Sequence, residues 1–367
     1  MDSQNSSRSN LLQILVVFEW LIVICLAGGL LAALLSQVLR RPTPVSPASQ
    51  ASLPSTSTLV IPRTQTSLPT TPPTSPSPSS TLILPSLTPS PSPTLPPTST
   101  PWGSRGKIVY TCTPEGYNQL CLINPDGSGE KRLTTRKAND YYPSLSPDGH
   151  SVVFVSNQNG AFEIYILGLV SGIETRLTDG LGNVTAPEIS PDGGWIVFAS
   201  KVLDDSSVWV IRSDGSLPRD LTGDQWNEID PTWSPDSKQI AFAGVRGGYV
   251  ELFVMDADGN NIRQVTQDVS GIGGRSSWSP DSKKLVFYAG PRGDRDIYVV
   301  EIATGEVTRL TQGGNNAGPC FSPDGDWIVF SSSRDGDHEL YLMRGDGSEV
   351  TQLTDNAYDD WQPRWGW

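Results

Sequence analysis

Acid–base and nucleophilic chemistry has few candidate residues in this chain. There are two histidines, His150 and His338, and no Gly-x-Ser-x-Gly motif of the kind that presents a hydrolase nucleophile. His150 follows a Ser-Pro-Asp-Gly turn and His338 lies in a loop between predicted strands, so we expect them on separate faces. We therefore predict no catalytic residues, no metal site, no cofactor and no enzyme activity.

Two cysteines form the second candidate group. Cys112 and Cys121 lie on successive predicted strands of one repeat unit, with a Gly-containing turn between them. If their side chains face each other, they form a cross-strand disulfide that suits an oxidising exterior; two buried thiols are the alternative. Cys320 has no evident partner.

Acidic and aromatic residues concentrate in loops that lead into predicted inner strands. Carboxylates beside Tyr and Trp rings suit a basic or amphipathic peptide, so these loops predict a binding site for a protein or peptide. The alternative is that each carboxylate hydrogen-bonds neighbouring strands. The candidate binding residues are Asp140, Tyr141, Trp226, Glu228, Asp230, Tyr358, Asp359, Asp360 and Trp361.

A sequence repeat positions all these residues. Ser-Pro-Asp recurs about every 44 residues, with its serine at Ser146, Ser190, Ser234, Ser279 and Ser322. A second marker, an apolar residue followed by Thr, recurs in the same phase, and alternating apolar runs between the markers indicate strands. Four strands in each period are typical of one propeller blade.

The Asp residues of the Ser-Pro-Asp turns are interpreted as turn formers. Pro presets φ at the second turn position, and Asp suits the third. The segment at 256–261, "DADGNN", has two carboxylates, which is too few for a calcium loop.

The two ends of the repeat region complete each other. The first unit lacks its inner strand, and the closing residues 362–367, "QPRWGW", match the inner-strand phrase Pro-x-Trp. The fold class predicted for residues 103–367 is therefore all-β: a six-bladed propeller closed by the C-terminal strand, which leaves no exposed end blade.

Charge and hydropathy divide the rest of the chain. The net charge is −13, and its acidic excess lies wholly after residue 102, which disfavours nucleic acid as a partner. A short polar N-terminus, residues 1–10, precedes an almost wholly apolar segment, 11–39, which is long enough to span a hydrocarbon core of about 30 Å. Residues 42–102 hold more than half of the 31 prolines and predict a disordered Pro/Ser/Thr stalk.

Two features give opposite orientations for the predicted membrane helix. Arg40 and Arg41 behind it outnumber Arg8 in front of it, and the positive-inside rule alone would keep the propeller in the cytoplasm. A Pro/Ser/Thr stalk is typical of domains held off a cell surface, and on this ground we predict a single-pass membrane protein with an extracytoplasmic propeller.

Units of Pro-x-Trp-Ser-Pro-Asp-Gly, followed by Ile-x-Phe and an Ile-Tyr strand, resemble the TolB family of six-bladed propellers over residues 103–367. The resemblance implies a protein- or peptide-binding surface in the bacterial envelope, where TolB works beside a peptidoglycan-associated lipoprotein. The family's small α/β domain before the propeller is replaced here by the predicted anchor and stalk. A small-ligand or carbohydrate-sensing module, or a propeller hydrolase or lyase, are the alternatives.

Overall fold

Residues 106–202, 205–223 and 226–366 are described by the computed structural model of the chain. They form 24 strands, β1–β24 in chain order, which pair into six four-stranded antiparallel sheets. Within these ranges the structure contains strands and connecting turns and no helix. The prediction of an all-β, six-bladed propeller is confirmed. The predicted segments 1–10, 11–39 and 42–102 lie outside the described residues.

Each blade contributes one strand to each of four positions. The innermost strands are β4 (Asp140–Leu145), β8 (Asn183–Ile189), β12 (Glu228–Trp233), β16 (Ser277–Trp278), β20 (Ala317–Phe321) and β24 (Asp360–Gly366). The second strands are β1 (Lys107–Cys112), β5 (Ser151–Asn159), β9 (Trp195–Lys201), β13 (Gln239–Arg246), β17 (Lys284–Ala289) and β21 (Trp327–Ser332). The third strands are β2 (Gln119–Ile123), β6 (Ala161–Gly168), β10 (Ser206–Arg212), β14 (Tyr249–Asp256), β18 (Asp296–Glu301) and β22 (Glu339–Arg344). The outer strands are β3 (Lys131–Arg132), β7 (Glu174–Arg176), β11 (Arg219–Asp220), β15 (Arg263–Gln264), β19 (Val307–Arg309) and β23 (Thr351–Gln352).

The two ends of the repeat region form one blade. In blade 1 the order is β24-β1-β2-β3, and Ile108 of β1 pairs with Trp365 of β24. Blades 2 to 6 follow in chain order, each from four consecutive strands. The C-terminal strand thus supplies the inner strand that the first unit lacks, as the repeat predicts.

The hydrophobic core lies between blades. Six clusters of buried side chains each join two neighbouring blades. Blade 1 packs against blade 6 through residues such as Ile108 and Val329, and against blade 2 through Val109 and Phe154. Every blade therefore buries both of its faces, and the ring has no free end.

Blade 1 departs from a pairing that the other blades share. In blades 2 to 6 an aromatic residue of the second strand lies opposite one of the third, as Phe242 does with Phe253 at 5.7 Å between ring centroids. In blade 1 Tyr110 lies opposite Cys121. Cys121 instead forms a disulfide with Cys112, and their Cα atoms are 5.9 Å apart. Cysteine is smaller than the aromatic residue that the other blades have at this position, and its disulfide links the same two strands.

The Ser-Pro-Asp turns carry a fixed set of hydrogen bonds. Ser146 Oγ donates to Asp148 Oδ1 at 2.5 Å, and the same oxygen accepts from the His150 amide at 3.0 Å. The other four turns repeat this arrangement. The serine bond, together with the backbone bond, lowers the pKa of Asp148. These aspartates form turns, as the sequence indicates.

The Thr that follows the apolar marker joins the outer and third strands of its blade. Its Oγ1 accepts from a third-strand amide in all six blades, at 2.8–3.0 Å. In blade 2 this threonine is Thr178, which accepts from the Ile164 amide at 2.9 Å and donates to the buried Glu163 carboxylate. One hydroxyl thus satisfies an amide and a carboxylate that burial separates from water.

Replacing this threonine should destabilise the propeller. Thr178→Val keeps the shape of the side chain but leaves the Ile164 amide and one Glu163 oxygen without the hydroxyl, so we expect a loss of about 1–3 kcal/mol in the free energy of unfolding. The measurement is chemical denaturation followed by tryptophan fluorescence. Thr175→Val is the control, because Thr175 is exposed on the same outer strand. Equal stabilities for the two variants would contradict the assigned role.

Candidate functional site

The central channel has two distinct ends. Antiparallel strands place the loops into the inner strands, and those between the second and third strands, at one end, here named the loop face. The Ser-Pro-Asp turns lie at the other end, the turn face. His150 lies at the turn face and His338 at the loop face, so the prediction that the two histidines are on separate faces is confirmed.

Three of the predicted acids lie inside their blades. Asp140, Glu228 and Asp360 occupy the first position of inner strands, and all three are fully buried. Asp140 accepts from Arg136 Nε at 3.1 Å, and Asp360 accepts from Asn356 Nδ2 at 2.8 Å. The expectation that they present charge to a partner is therefore corrected. A carboxylate at this position turns inward and meets polar groups of the loop that leads into its strand or of the preceding blade.

Burial raises the pKa of all three acids. Loss of hydration, with smaller contributions from the nearby Glu339 and Glu130, raises the pKa of Asp360 to about 8. The same cause raises the pKa of Glu228 to about 7. It also raises the pKa of Asp140, although Arg136 partly opposes the change.

Asp230 belongs to a different ring of residues. It is one of six residues with positive φ at equivalent positions around the channel, five of them in inner strands and one, Arg275, just before β16: Tyr142, Ala186, Asp230, Arg275, Gly318 and Gln362. In five blades this residue coincides with a shift in strand register, the mark of a β-bulge. A β-bulge changes the direction in which side chains point. Here the six residues form the layer of the channel that lies nearer to the loop face.

Arg275 crosses the channel in this layer. Its Nη2 donates to the carbonyl oxygen of Pro143 in blade 2 at 2.7 Å, three blades away, and its guanidinium lies 5.4 Å from the Tyr142 ring centroid. Burial and the nearby Arg364 lower the pKa of Arg275 to about 9. Burial raises the pKa of Asp230, and the positive charge of Arg275 partly offsets this increase. The sequence did not predict this contact, because Arg275 matches no repeat marker.

Glycine in the loop before Arg275 makes room for Asp230. A Cβ at Gly274 would lie 1.5 Å from Asp230 Oδ2. Any side chain there would displace the carboxylate from Arg275. The Gly-Gly pair of this loop is therefore a packing requirement of the channel.

Arg364 crosses the channel one layer closer to the turn face. It extends from blade 1, and its Nη2 donates to the carbonyl oxygen of Ser276 in blade 5 at 3.0 Å. Its Nε lies 3.6 Å from Glu188 Oε2 of blade 3. The channel thus holds two oppositely charged pairs, Asp230 with Arg275 and Glu188 with Arg364.

Four other predicted residues lie at the loop face of blades 1 and 2. The Tyr141 ring packs edge-on against Trp361 at 5.9 Å between ring centroids, and the Tyr141 hydroxyl accepts a hydrogen bond from Asn118 Nδ2 at 2.8 Å. Tyr358 is half-buried, and Asp359 is exposed with its carboxylate accepting from the His338 amide at 2.9 Å. Asp359 is thus the predicted acid that remains on the surface.

The most exposed aromatic residues of the loop face lie on the opposite side, at blades 3 and 4. Trp226 is 41 % exposed, with the Arg246 guanidinium 5.1 Å from its ring centroid. Tyr249, at the tip of the β13–β14 hairpin, is 72 % exposed, and Val202 is also exposed. Trp226 is among the candidate residues predicted from the sequence, and Tyr249 is not. The Gly-Gly pair just before Tyr249 was the available signal, because it marks a hairpin tip.

The described residues contain neither a helix that could cross a membrane nor a group of metal ligands. Among the strands and turns of 106–202, 205–223 and 226–366, no helix is long and apolar enough to cross a membrane. In the same ranges no three His, Cys, Asp or Glu side chains are grouped so that they could hold a metal ion. The predicted membrane helix at 11–39 lies outside them.

The family follows from a comparison with known domains. The model of the TolB beta propeller domain matches residues 163–271 and 262–366, together more than half of the chain. The chain belongs to this family.

Relatives and solved structures agree with this assignment. The chain is 37 % identical over 71 residues to a protein TolB homolog of Chlorobium luteolum, a match that covers 16 % of that protein, and 35 % identical over 52 residues to dipeptidyl-peptidase 5 of Porphyromonas gingivalis, covering 8 % of it. The crystal structure of TolB from Acinetobacter baumannii aligns with a TM-score of 0.64 and 25 % identity, over 71 % of this chain and 66 % of that one. A putative TolB from Agrobacterium tumefaciens shares the fold, with a TM-score of 0.58 and 22 % identity over 72 % and 99 % of the two chains.

The buried acid of blade 1 should make stability depend on pH. With a pKa of about 8 in the folded protein and an ordinary value of 3.8, Asp360 keeps a proton that the unfolded chain releases between these values. Stability should therefore fall as pH rises from 5 to 8, by up to about 1.4 kcal/mol per pH unit for one proton. Asp360→Asn should flatten this dependence, measured as unfolding free energy against pH. Asp359→Asn, at the exposed neighbour, is the control, and a parental slope in Asp360→Asn would contradict the assignment.

Proposed function

We propose that the chain is a membrane-tethered, non-enzymatic propeller that binds a protein or peptide in the bacterial cell envelope through its loop face. Membership of the TolB propeller family supports a binding role. The opposite positions of the two histidines give no support to a catalytic pair. The loop face, where the blades differ from one another, is the surface that distinguishes this chain.

The exposed aromatic patch of Trp226 and Tyr249 carries this proposal. Aromatic side chains are enriched among the residues that dominate binding energy, and Arg246 between them adds a third such residue type. The acidic excess of the propeller favours a basic partner. Electrostatic attraction would speed the encounter, and the aromatic residues would then make the contacts.

The position of β1, the first strand of the propeller, supports the proposed membrane tether. β1 begins with Lys107 beside Gly366, at the turn face. A tether that precedes this strand joins the propeller at the end opposite the loop face. The apolar segment 11–39 and the Pro-rich segment 42–102 supply an anchor and a spacer of the required compositions.

Loss of Trp226 should weaken capture of the partner. A photo-crosslinking amino acid at position 249 of the full chain, expressed in cells, is expected to give a discrete crosslinked band that weakens with salt. Introducing Trp226→Ala beside a crosslinker at position 202 should reduce that band about tenfold or more, the loss typical of a dominant interface residue.

A matched control uses the turn face. Val170 is 88 % exposed and Ile173 67 % exposed, both in the β6–β7 turn. A crosslinker at position 170 should give no band, and Ile173→Ala should leave capture at position 202 unchanged. Equal capture at positions 170 and 249 would refute the loop-face assignment.

Protease treatment of intact cells tests the predicted location. We expect the propeller to be removed from cells whose envelope is opened to protease but whose inner membrane is intact, because the stalk holds it outside the cytoplasm. The measurement is an immunoblot for the propeller, with a cytoplasmic protein as the control. Protection until the inner membrane is lysed would place the propeller in the cytoplasm, as the Arg40 and Arg41 count indicates.

A further inference from the structure

A cavity of about 260 Å³ occupies the turn-face end of the channel. Five prolines surround it, one from each Ser-Pro-Asp turn: Pro147, Pro191, Pro235, Pro280 and Pro323. Its volume is just below the range of about 300–1,000 Å³ that is usual for small-molecule sites, so it fits one small ring better than a polymer segment. It lies at the opposite end from the loop-face patch and is a separate site.

The polar part of the cavity is formed by Arg364 and Glu188. Arg364 is held by two carbonyl oxygens, of Ser276 at 3.0 Å and Pro319 at 3.4 Å. Glu188 is held through Oε1, which accepts from Thr232 Oγ1 and the Trp233 amide, both at 2.8 Å. Both side chains are therefore fixed before any ligand arrives.

Each of these side chains retains one group for a ligand. The 3.6 Å between Arg364 Nε and Glu188 Oε2 is too long for a hydrogen bond. Nε has no hydrogen-bond acceptor among the described residues, although the Arg364 side chain is only 7 % exposed. A donor and an acceptor thus lie side by side on residues that line the cavity. A hydroxyl group can both accept from the first and donate to the second.

Tryptophans provide the apolar part of the wall. Trp233 and Trp278 line the cavity, and Trp278 Nε1 donates to the Thr232 carbonyl oxygen at 3.2 Å. Trp233 Nε1 is buried and has no acceptor among the described residues. Indole rings combine an apolar face with one polar edge, which suits a ligand that has both kinds of surface.

The charges of the cavity select against ions. A carboxylate placed against Arg364 would also face Glu188, and an ammonium placed against Glu188 would also face Arg364, since the two charges are 3.6 Å apart. A neutral ligand with several hydroxyl groups meets neither repulsion. The acidic excess of the propeller further disfavours an anionic ligand.

We propose that this cavity binds the ring of a neutral sugar, with one hydroxyl bridging Arg364 Nε and Glu188 Oε2 and the ring lying against Trp233 and Trp278. Ser144, in the same layer as Glu188 and Arg364, completes the wall. The blades place side chains from Ser to Arg at this layer, so a larger residue at 144 fits the backbone.

The test is a titration of the full chain, purified in detergent, with six sugars. D-glucose, D-galactose, D-mannose and N-acetyl-D-glucosamine are the neutral probes, and D-glucuronate and D-glucosamine are the charged ones. We expect saturable tryptophan fluorescence change and saturation-transfer NMR signals with at least one neutral sugar and with neither charged sugar. Ser144→Leu, which places a branched apolar side chain in the space the ring would occupy, should abolish both signals, and Glu188→Gln should weaken binding about tenfold through the loss of a charged acceptor.

Two controls separate a binding defect from a folding defect. Tyr249→Ala, at the loop face, should bind sugar as the parent does. The second control leaves the cavity residues unchanged and uses Cys320, which lines the same cavity. In a Cys25→Ser background, bound sugar should slow the modification of Cys320 by a small thiol reagent. The absence of binding by all four neutral sugars, stronger binding of a charged sugar, or parental binding by a folded Ser144→Leu protein would each overturn the proposal.

Discussion

Packing between blades is the constraint on which the rest of this structure depends. A four-stranded sheet with two apolar faces is not stable alone in water, and each blade here buries both faces against its neighbours. All blade faces can be buried in this way only if the ring closes. The pairing of β24 with β1 supplies that closure with backbone hydrogen bonds, and the disulfide of Cys112 and Cys121 adds a covalent bond within the same blade.

Polar groups inside this ring are of two kinds. The Ser-Pro-Asp turns and the marker threonines repeat in blade after blade, and they satisfy backbone groups wherever the chain reverses or a strand pair ends. The channel residues do not repeat, because equivalent positions meet at the axis and identical charges there would repel. Arg275 and Arg364 instead reach carbonyl oxygens of distant blades and each faces a carboxylate, Asp230 or Glu188.

This division separates stability from recognition. Repeated polar contacts hold the blades, so the loop face is free to vary, and it exposes Trp226 and Tyr249 at one side of the channel and a packed Tyr141–Trp361 pair at the other. The turn face is regular at its rim but contains a cavity whose polar groups come from non-repeating positions. The two ends therefore offer different chemistry, a broad aromatic surface and a small polar cavity. One family fold can present both.

The sequence alone determined the number of blades, the strand order, the ring closure and the role of the turn aspartates, because each of these depends on local spacing that recurs. It also brought Cys112 and Cys121 to adjacent strands, and the fold decided that they are bridged. The candidate site was less predictable. Asp140, Glu228 and Asp360 have the composition of a binding loop, yet one strand position turns them inward, and only the packed blade shows this. The contacts of Arg275 with Pro143 and of Arg364 with Glu188 join residues far apart in the chain, and no local pattern specifies them. Tertiary structure decided them because side chains from blades that are not neighbours meet only at the axis of the closed ring.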